Sequence, residues 1–524
     1  AIDFANYYAY SMTQLEDFPN ITFSAKGVVL VIAPWNFPIA IPAGGVLAAL
    51  AAGNTAILKP ATQSRQIATM MANCFWEAGV PKDAFQLIHT NDTDALTALT
   101  SSPVIKHIIF TGSTETAQKI KISNPNIPLS AETGGKNVIY VSDLCDDDMA
   151  IKSVVTSAFG HSGQKCSACS VLLLNKAHYN DPSFMEKLKD TAESLVIGTA
   201  FHLETQFGPL TSPVTDKLKQ SMDLDGDETW LVKPRLDSSD ANLMTPGIKL
   251  GVTPKSYSFR TELFGPLLSV CCVDDIQDAI RTANTLPYGL TSGIFSLDPR
   301  EKDLWKNSVE AGNIYINRNV TGAVVQRQPF GGLKKSSFGI GSKAGGPNYV
   351  IQFLNIIEKE THTHNYKDVF TKLFSTSTDV TNLYGEDNHL RYLPNNRIII
   401  RIEKKDLLND LKMILDALRI TKNKVDISYA SDLTTDQVNL IADLPSTEES
   451  IDDLLSRLDG IDRLRFGSNV TSQTVRVKIS SHHSTLIDHR PYSEGRFELL
   501  YYLNGQSITH EYHRYGNLGD RATS

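Results

Sequence analysis

Cys166 lies in Gly163-Gln164-Lys165-Cys166-Ser167-Ala168, and Glu132 lies upstream in Glu132-Thr133-Gly134-Gly135-Lys136. A soft nucleophile plus a carboxylate able to activate water is what oxidation of an aldehyde through a thioester requires. The thiolate needs a lowered pKa, a nearby cation or a helix N-terminus. Lys165 is adjacent in sequence, which does not by itself place its ammonium near the sulfur. A lone cysteine is in general a small buried hydrophobe, but the polar and small residues around Cys166 point to a nucleophile. Glu132 is the candidate general base for the water. Its alternative role is a cap or an ion-pair partner.

Attack on a carbonyl makes an alkoxide, which needs preorganised donors. Pro34-Trp35-Asn36-Phe37-Pro38 follows an apolar run and exposes the Asn36 amide. The Cys166 N–H is a second candidate donor. Asn36 reads equally well as the cap of a helix beginning near Pro38. Hydride loss then needs an acceptor. No Gly-x-Gly-x-x-Gly follows the first strand, and Gly339-Ile340-Gly341 lacks the third glycine. Phe110-Thr111-Gly112-Ser113-Thr114 offers another phosphate site, with glycine for close approach and a helix N-terminus behind it. Ser113 could equally be a plain N-cap. Lys59, before Pro60, could reach ribose hydroxyls or be a solvated lysine. Glu262-Leu263-Phe264-Gly265-Pro266 and Pro329-Phe330-Gly331-Gly332 are small-residue loops, either of which could be a turn. No residue is assigned to a metal.

These residues need a scaffold, and the pattern supplies one. Residues 27–33 (GVVLVIA) have buried-strand length, and residues 39–52 read as a helix ended by Gly53-Asn54. Strands at 55–58, 85–88 and 107–110 alternate with helices at 64–78, 94–100 and 113–122. This is a parallel sheet covered on both faces, with ligands at the carboxyl ends of its strands. An aromatic helix over 3–15 precedes it. A second α/β unit follows Glu132, with strands at 137–141, 171–174, 267–273 and 313–317 and helices at 149–159 and 184–195. Residues 361–396 are polar and read as a linker or surface excursion. A third α/β set spans 397–503. The domains are therefore expected at 1–134, 135–330, 331–360 (a return segment to the first), 361–396 (linker) and 397–524.

The chain has 524 residues, 41% of them apolar, and a net charge of −8, which argues against non-specific nucleic-acid binding. Its six cysteines are too sparse for a disulfide framework, so a reducing compartment, the cytoplasm, fits best. Cys169 imitates half of a redox pair and is read as packing. The apolar run from Pro38 to Gly53 is too short to span a bilayer. A chain beginning at Ala1 is read as a fragment.

In order along the chain, Pro-Trp-Asn-Phe-Pro, Phe-Thr-Gly-Ser-Thr, Glu-x-Gly-Gly-Lys, Gly-Gln-Lys-Cys-Ser, Glu-Leu-Phe-Gly-Pro and Pro-Phe-Gly-Gly resemble the aldehyde dehydrogenase superfamily over about residues 1–358. The resemblance implies a Rossmann-type cofactor domain plus an α/β catalytic domain, here with an additional C-terminal α/β domain. By it, Cys166 is the nucleophile, Glu132 the base and Asn36 the oxyanion donor. Lys59 and Glu262 would hold the riboses of NAD, and Ser113 with Gly112 the pyrophosphate. Trp35 falls in the cofactor region, and Phe264 and Phe330 would line the nicotinamide and aldehyde region.

Asn317-Arg318-Asn319-Val320-Thr321-Gly322-Ala323-Val324-Val325 and Lys343-Ala344-Gly345-Gly346-Pro347 further resemble L-glutamate γ-semialdehyde (Δ1-pyrroline-5-carboxylate) dehydrogenases, which serve proline catabolism. There, N–H groups corresponding to Gly322 and Ala323, with Ser167, anchor the substrate α-carboxylate. Gly495-Arg496-Phe497-Glu498-Leu499-Leu500 and His513-Arg514-Tyr515-Gly516-Asn517 resemble the C-terminal domain of the longer proline utilization A proteins. Those fuse a FAD-dependent proline dehydrogenase module to the aldehyde dehydrogenase. The resemblance implies that such a module is the chain's partner within one parent polypeptide, and that the enzyme is a homo-oligomer. It also implies that the dehydrogenase's own N-terminal segment is absent here, that the parent could be peripheral to a membrane, and that the C-terminal domain is a lid or assembly element. Two departures stand out. Thr62 replaces the family's ribose-binding acid, with Arg65 nearby, which leaves NADP open beside NAD. Leu333-Lys334-Lys335 is atypical. The competing readings are a dehydrogenase of another aldehyde and a non-catalytic structural module.

Overall fold

The computed structural model describes residues 1–90, 93–359, 363–424 and 426–513. The chain divides into two compact units. One holds 1–133, 337–378 and 390–506; the other holds 134–336, 379–389 and residues from 507 onward.

The first unit contains a six-stranded sheet in the order Ser337–Phe338, Leu129–Glu132, Ile105–Thr111, Val28–Ala33, Thr55–Pro60, Phe85–Leu87. All neighbours are parallel except the short Ser337–Phe338 strand. Val28–Ala33 is central and apolar throughout, and nearly all of it is buried, as a strand covered on both faces requires. From it the chain steps outward to Thr55–Pro60 and Phe85–Leu87, then crosses back to Ile105–Thr111 and Leu129–Glu132 on the other side. Strand order therefore reverses between Val28–Ala33 and Ile105–Thr111, the place where open α/β sheets form a ligand crevice. The helix Ala40–Ala51 lies close on this sheet: a side chain on Gly45 would come within 2.7 Å of Val31 Cγ1. Residues 337–358 return here, and Leu354–Glu358 pairs antiparallel with Ile21–Ala25.

The same unit carries a second sheet, five parallel strands in the order Ser446–Glu448, Ile427–Tyr429, Ile398–Ile402, Arg463–Phe466, Thr485–Ile487. Ile398, Ile400 and Ile402 pack with Leu411 and Leu418, while Ile399 clusters with Leu454, Leu455 and Ile479 from the helices Ile451–Ser456 and Gln473–Ser481, so both faces are covered. The set expected from 397 onward is thus α/β. Its last expected element, at 497–503, is instead the helix Gly495–Glu498, a 3-10 turn at Leu499–Tyr501 and the start of the strand Leu503–Glu511. The described part of the stretch expected as a linker or surface excursion, residues 363–396, carries secondary structure. It carries the helix Tyr366–Val369, a π-turn at Phe370–Phe374 and the strand Glu386–Pro394. Its polar composition misleads because that strand is mostly half-buried and needs no apolar run.

The second unit is built on a nine-stranded sheet. Seven of its strands are parallel, in the order Leu503–Glu511, Asn313–Ile316, Thr291–Phe295, Asn137–Val141, Cys169–Asn175, Leu267–Val273 and Gly247–Leu250. Thr229–Val232 is antiparallel at one edge, and Glu386–Pro394 forms the other. The atypical Lys334 has a structural job here. Its ammonium donates to the carbonyls of Asn284 and Leu286, at the end of the helix Ile276–Asn284, and pairs with Glu310 at 2.7 Å. No helix among the described residues is long and apolar enough to cross a membrane.

Candidate functional site

In the first unit, the candidate residues follow neighbouring strands at one edge. Trp35 and Asn36 come just after Val28–Ala33, Lys59 lies near the end of Thr55–Pro60, Gly112 and Ser113 follow Ile105–Thr111, and Glu132 ends Leu129–Glu132. Asn36 and Ser113 thus flank the point where strand order reverses. The Gly112 N–H donates to the Glu132 carbonyl at 3.2 Å, tying the two turns together. Asn36 is buried, and it is not the helix cap. That position is Ile39, whose side chain makes no capping bond. Ser113 is the N-cap of the helix Thr114–Ser123, accepting from the Thr116 N–H at 3.2 Å. Burial depresses the Lys59 pKa, and the charge of Arg65 adds to this, so Arg65 lies within electrostatic reach of Lys59.

Glu132 has charged and phenolic company that spacing did not reveal. Lys343 is buried, and desolvation brings its ammonium down to about 7, with the Glu132 carboxylate pulling the other way. Tyr349 is held protonated by burial first and by Glu132 second. Lys343 was singled out only as part of a motif, because nothing in a linear pattern reports which carboxylate a lysine meets.

In the second unit, Cys166 sits between a one-turn helix at Gly160–Gly163 and the strand Cys169–Asn175. His161 and Ser162 are strained, with left-handed φ of 59° and 55°, while Gly163 takes its φ of 69° at no steric cost. Ser162 Oγ donates to the Gly208 carbonyl, and Gln164 Oε1 accepts from the Thr211 N–H, fixing the approach to Cys166. The main holding residue is Asn137, which the sequence reading did not single out. Its Nδ2 donates to the Cys166 carbonyl at 2.7 Å and the Ala168 carbonyl at 2.8 Å, and its Oδ1 accepts from the Thr291 N–H at 3.0 Å. Gly135 must be glycine here, since a Cβ would lie 2.3 Å from the Cys166 carbonyl oxygen.

Cys166 is half-buried, and its charge interacts with Lys165, whose own pKa is lowered mainly by burial. Cys169 is fully buried, and desolvation pushes its thiol up to about 12, which makes it packing rather than a redox partner. Ser167 is buried beside them. Glu262 Oε1 accepts from the Gly135 N–H at 2.7 Å, and Gly134 packs so closely that a Cβ would meet the same carboxylate at 2.3 Å. Phe264 adopts a left-handed φ of 51°. Phe330 is half-buried, and Gly322 (φ 85°) and Ala323 are exposed.

The loop bearing Gly322 and Ala323 is braced from the supposed linker. Arg318 Nη1 meets Glu386 Oε2 at 2.5 Å, and Gln328 Nε2 donates to Asn388 Oδ1 at 2.6 Å and Glu386 Oε1 at 3.1 Å. Gln328 Oε1 in turn accepts from the Val324 N–H at 2.9 Å. Among the described residues, no group accepts from the Gly322 or Ala323 N–H. Elsewhere in this unit, Cys145, Asp147 and His178 place one ligand atom each within 4.8 Å of one another, but His178 Nε2 already meets Asp147 at 3.0 Å.

A parallel sheet whose strand order reverses beside its central strand is the arrangement of the doubly wound α/β class. Residues 1–357 match the aldehyde dehydrogenase family, and the chain belongs to it. It is 34% identical over 370 residues to a 1-pyrroline-5-carboxylate dehydrogenase of Bacillus cytotoxicus, covering 67% of this chain and 71% of that protein. The 1-pyrroline-5-carboxylate dehydrogenase 2 of Bacillus subtilis is 33% identical over the same shares. Among solved structures, Proline Utilization A from Corynebacterium freiburgense superposes with a TM-score of 0.87 at 36% identity, covering 98% of this chain and 53% of that one. The chain thus spans about half the length of that protein. A Thermus 1-pyrroline-5-carboxylate dehydrogenase with bound NAD matches at TM-score 0.60 and 31% identity, over 68% of this chain and 72% of that one. The His513–Asn517 signature lies, from residue 514 on, outside the described residues.

Proposed function

We propose that the chain is the L-glutamate γ-semialdehyde dehydrogenase part of a longer bifunctional protein, oxidising the open form of Δ1-pyrroline-5-carboxylate to L-glutamate. The observation that carries this reading is the placement of Asn36, Ser113 and Glu132 after three neighbouring parallel strands around the switch in strand order. The named relatives supply the substrate class.

In this reading the Cys166 thiolate adds to the aldehyde carbon. The alkoxide is met by the Asn36 amide and the Cys166 N–H. Loss of hydride leaves a thioester on Cys166. Glu132 takes a proton from water, the water attacks the acyl carbon, and the thiol and the acid separate. The exposed Gly322 and Ala323 N–H groups suit the substrate α-carboxylate, and Ser167 would join them. The residues present fit a dinucleotide: the helix N-terminus behind Ser113 favours an anion, and Lys59 stands two strands away on the same sheet edge. NAD, when bound, supplies the hydride acceptor, with Lys59 and Glu262 for its riboses, Gly112 and Ser113 for its pyrophosphate and Trp35 and Phe264 in its cofactor region, while Phe330 completes the aldehyde end. Thr62 with Arg65 near Lys59 favours testing NADP in parallel. Residues 1–134 would form the cofactor domain and 135–330 the catalytic domain. FAD would belong only to the partner module.

The test follows NADH absorbance with Δ1-pyrroline-5-carboxylate and a panel of other aldehydes. Cys166→Ala abolishes hydride transfer. Glu132→Gln gives a single burst, then turnover slowed by about 10²–10⁴-fold. A Cys166→Ala variant that kept its rate would remove the covalent route.

A further inference from the structure

The first unit holds a partly open cavity of about 400 Å3 remote from the carboxyl edge. It lies between the six-stranded sheet and the elements around the five-stranded one. Lys26 precedes the strand Val28–Ala33, and His107 lies near the start of Ile105–Thr111, so the cavity opens at the amino-end side of that sheet. His107 and Thr111 are separated by roughly 13 Å of strand at about 3.3 Å per residue.

The lining charges do not balance. Arg476 and Asp488 form an ion pair with each other. That leaves Lys26 and Lys121 as positive charges. Lys26 Nζ donates to the Gln352 carbonyl at 2.7 Å and stands 3.4 Å from His107 Nδ1. Lys121, on the helix Thr114–Ser123, has no hydrogen-bond or ion-pair partner among the described residues. Burial lowers both ammonium groups only to about 8, so both are mostly cationic at neutral pH. Burial keeps His107 and His489 neutral.

A second observation points the same way. Gln352 is 8% exposed, and its Nε2 has no partner. Its Oε1 is taken by Ser130 Oγ at 2.5 Å, and Ser130 also meets His107 Nε2 at 2.8 Å. That network fixes the amide so that only its donor end is left over. His489 Nε2 is unpaired too, but the ring is neutral and its Nδ1–H is donated to the Arg490 carbonyl at 2.7 Å, so Nε2 is an acceptor and takes no part in holding an anion. An unused buried donor and cations without a counter-charge cost stability unless something accepts from them. Apolar side chains, among them Ile127, Leu129, Ile351, Leu486 and Leu500, complete the wall. The volume falls in the range of about 300–1,000 Å3 typical of small-molecule sites.

We infer that this cavity binds a small organic carboxylate, its anionic head on Lys121, Lys26 and Gln352 Nε2 and its apolar body against the isoleucine and leucine wall. Such a ligand would clamp the five-stranded sheet to the cofactor-side sheet.

Two probes are soaked into crystals of the full chain and titrated calorimetrically. One is 4-bromobenzoate, with a carboxylate, an apolar body and an anomalous scatterer; the other is selenate, a bare oxyanion. A bromine peak inside the cavity, with the carboxylate toward Lys121, is expected. Lys121→Met should weaken 4-bromobenzoate at least tenfold, and Lys121→Arg should stay within about threefold of the parent. The ligand-free melting temperature of Lys121→Met should hold or rise, because an unpaired buried ammonium is removed. Binding of selenate alone, a cavity holding only water, or affinity unchanged in Lys121→Met would each overturn the assignment. So would a fall in the melting temperature of the ligand-free variant, which would mark Lys121 as structural.

Discussion

Lys136 closes the Glu-x-Gly-Gly-Lys motif, and its position is costly. It is 2% exposed, and its Nζ has no hydrogen-bond partner among the described residues. Desolvation brings the ammonium down to about 7, while Glu262 and then Cys169 oppose the shift. A lysine depressed in the folded state releases its proton there at lower pH than in the unfolded chain. Between about pH 7 and the ordinary lysine value near 10.4 the unfolded chain holds the extra proton, so stability rises with pH; below pH 7 the full penalty is present. Lys136→Met removes this term. The stability of the parent relative to Lys136→Met should rise by about 1 kcal/mol per pH unit from pH 7 to 9, read by urea unfolding. Taking the difference cancels Lys26, Lys121 and Lys343, which titrate in the same window. A flat difference would mean that Lys136 keeps its proton by pairing with Glu262.

Among the elements, the helix Gly495–Glu498 shows what a sequence signature can be for. Glu498 is fully buried and meets Arg465, also fully buried, at 2.9 Å. Arg465 lies on the strand Arg463–Phe466 and also donates to the His489 carbonyl at 2.7 Å. Glu498 further accepts from Tyr502 Oη at 2.7 Å and the Tyr492 N–H at 3.0 Å. Removing one partner of a buried pair strands the other charge. Glu498→Ala should lose about 3–5 kcal/mol in urea unfolding. Arg465→Met combined with Glu498→Leu should lose less than Glu498→Ala alone, since no charge is left behind; a double variant as damaged as the single would contradict this. Elements of this kind were only partly legible. Residues 27–33 could be read because a strand buried on both faces must be apolar at every position. Glu386–Pro394 could not, because a half-buried edge strand tolerates polar residues. Cys166 and Glu132 were singled out by their neighbours in the sequence. Asn137 could not, since an asparagine that clamps a loop looks like any other until the loop is folded against it. Asn36 shows the limit from the other side: its type fits a cap, and only the backbone reveals that Ile39 holds that position.

At the scale of the whole molecule, residues after 358 are woven into both units rather than appended. In the second unit, Ser507–His510 pair in parallel with Asn313–Ile316, and Ile508 is buried in the same core as Ile314 and Ile316. In the first, Phe497 packs on Phe18 and Phe23 with ring centroids 5.2 and 5.6 Å apart. Ending the chain at residue 360 would turn Asn313–Ile316 into an exposed apolar edge, a template for pairing with another chain. It would also remove Glu386 and Asn388 from the loop that carries Gly322 and Ala323. The truncated chain should therefore aggregate or melt well below the parent, as read by size-exclusion chromatography and differential scanning calorimetry. Glu386→Ala separates the two effects. It leaves the strand in place but frees Arg318, so it should raise KM for the semialdehyde severalfold with kcat little changed, and shift the melting temperature only slightly. A monodisperse truncated chain with the parent's melting temperature would show that the C-terminal strands are dispensable. Glu386→Ala with an unchanged KM would show that the loop holds its shape without them.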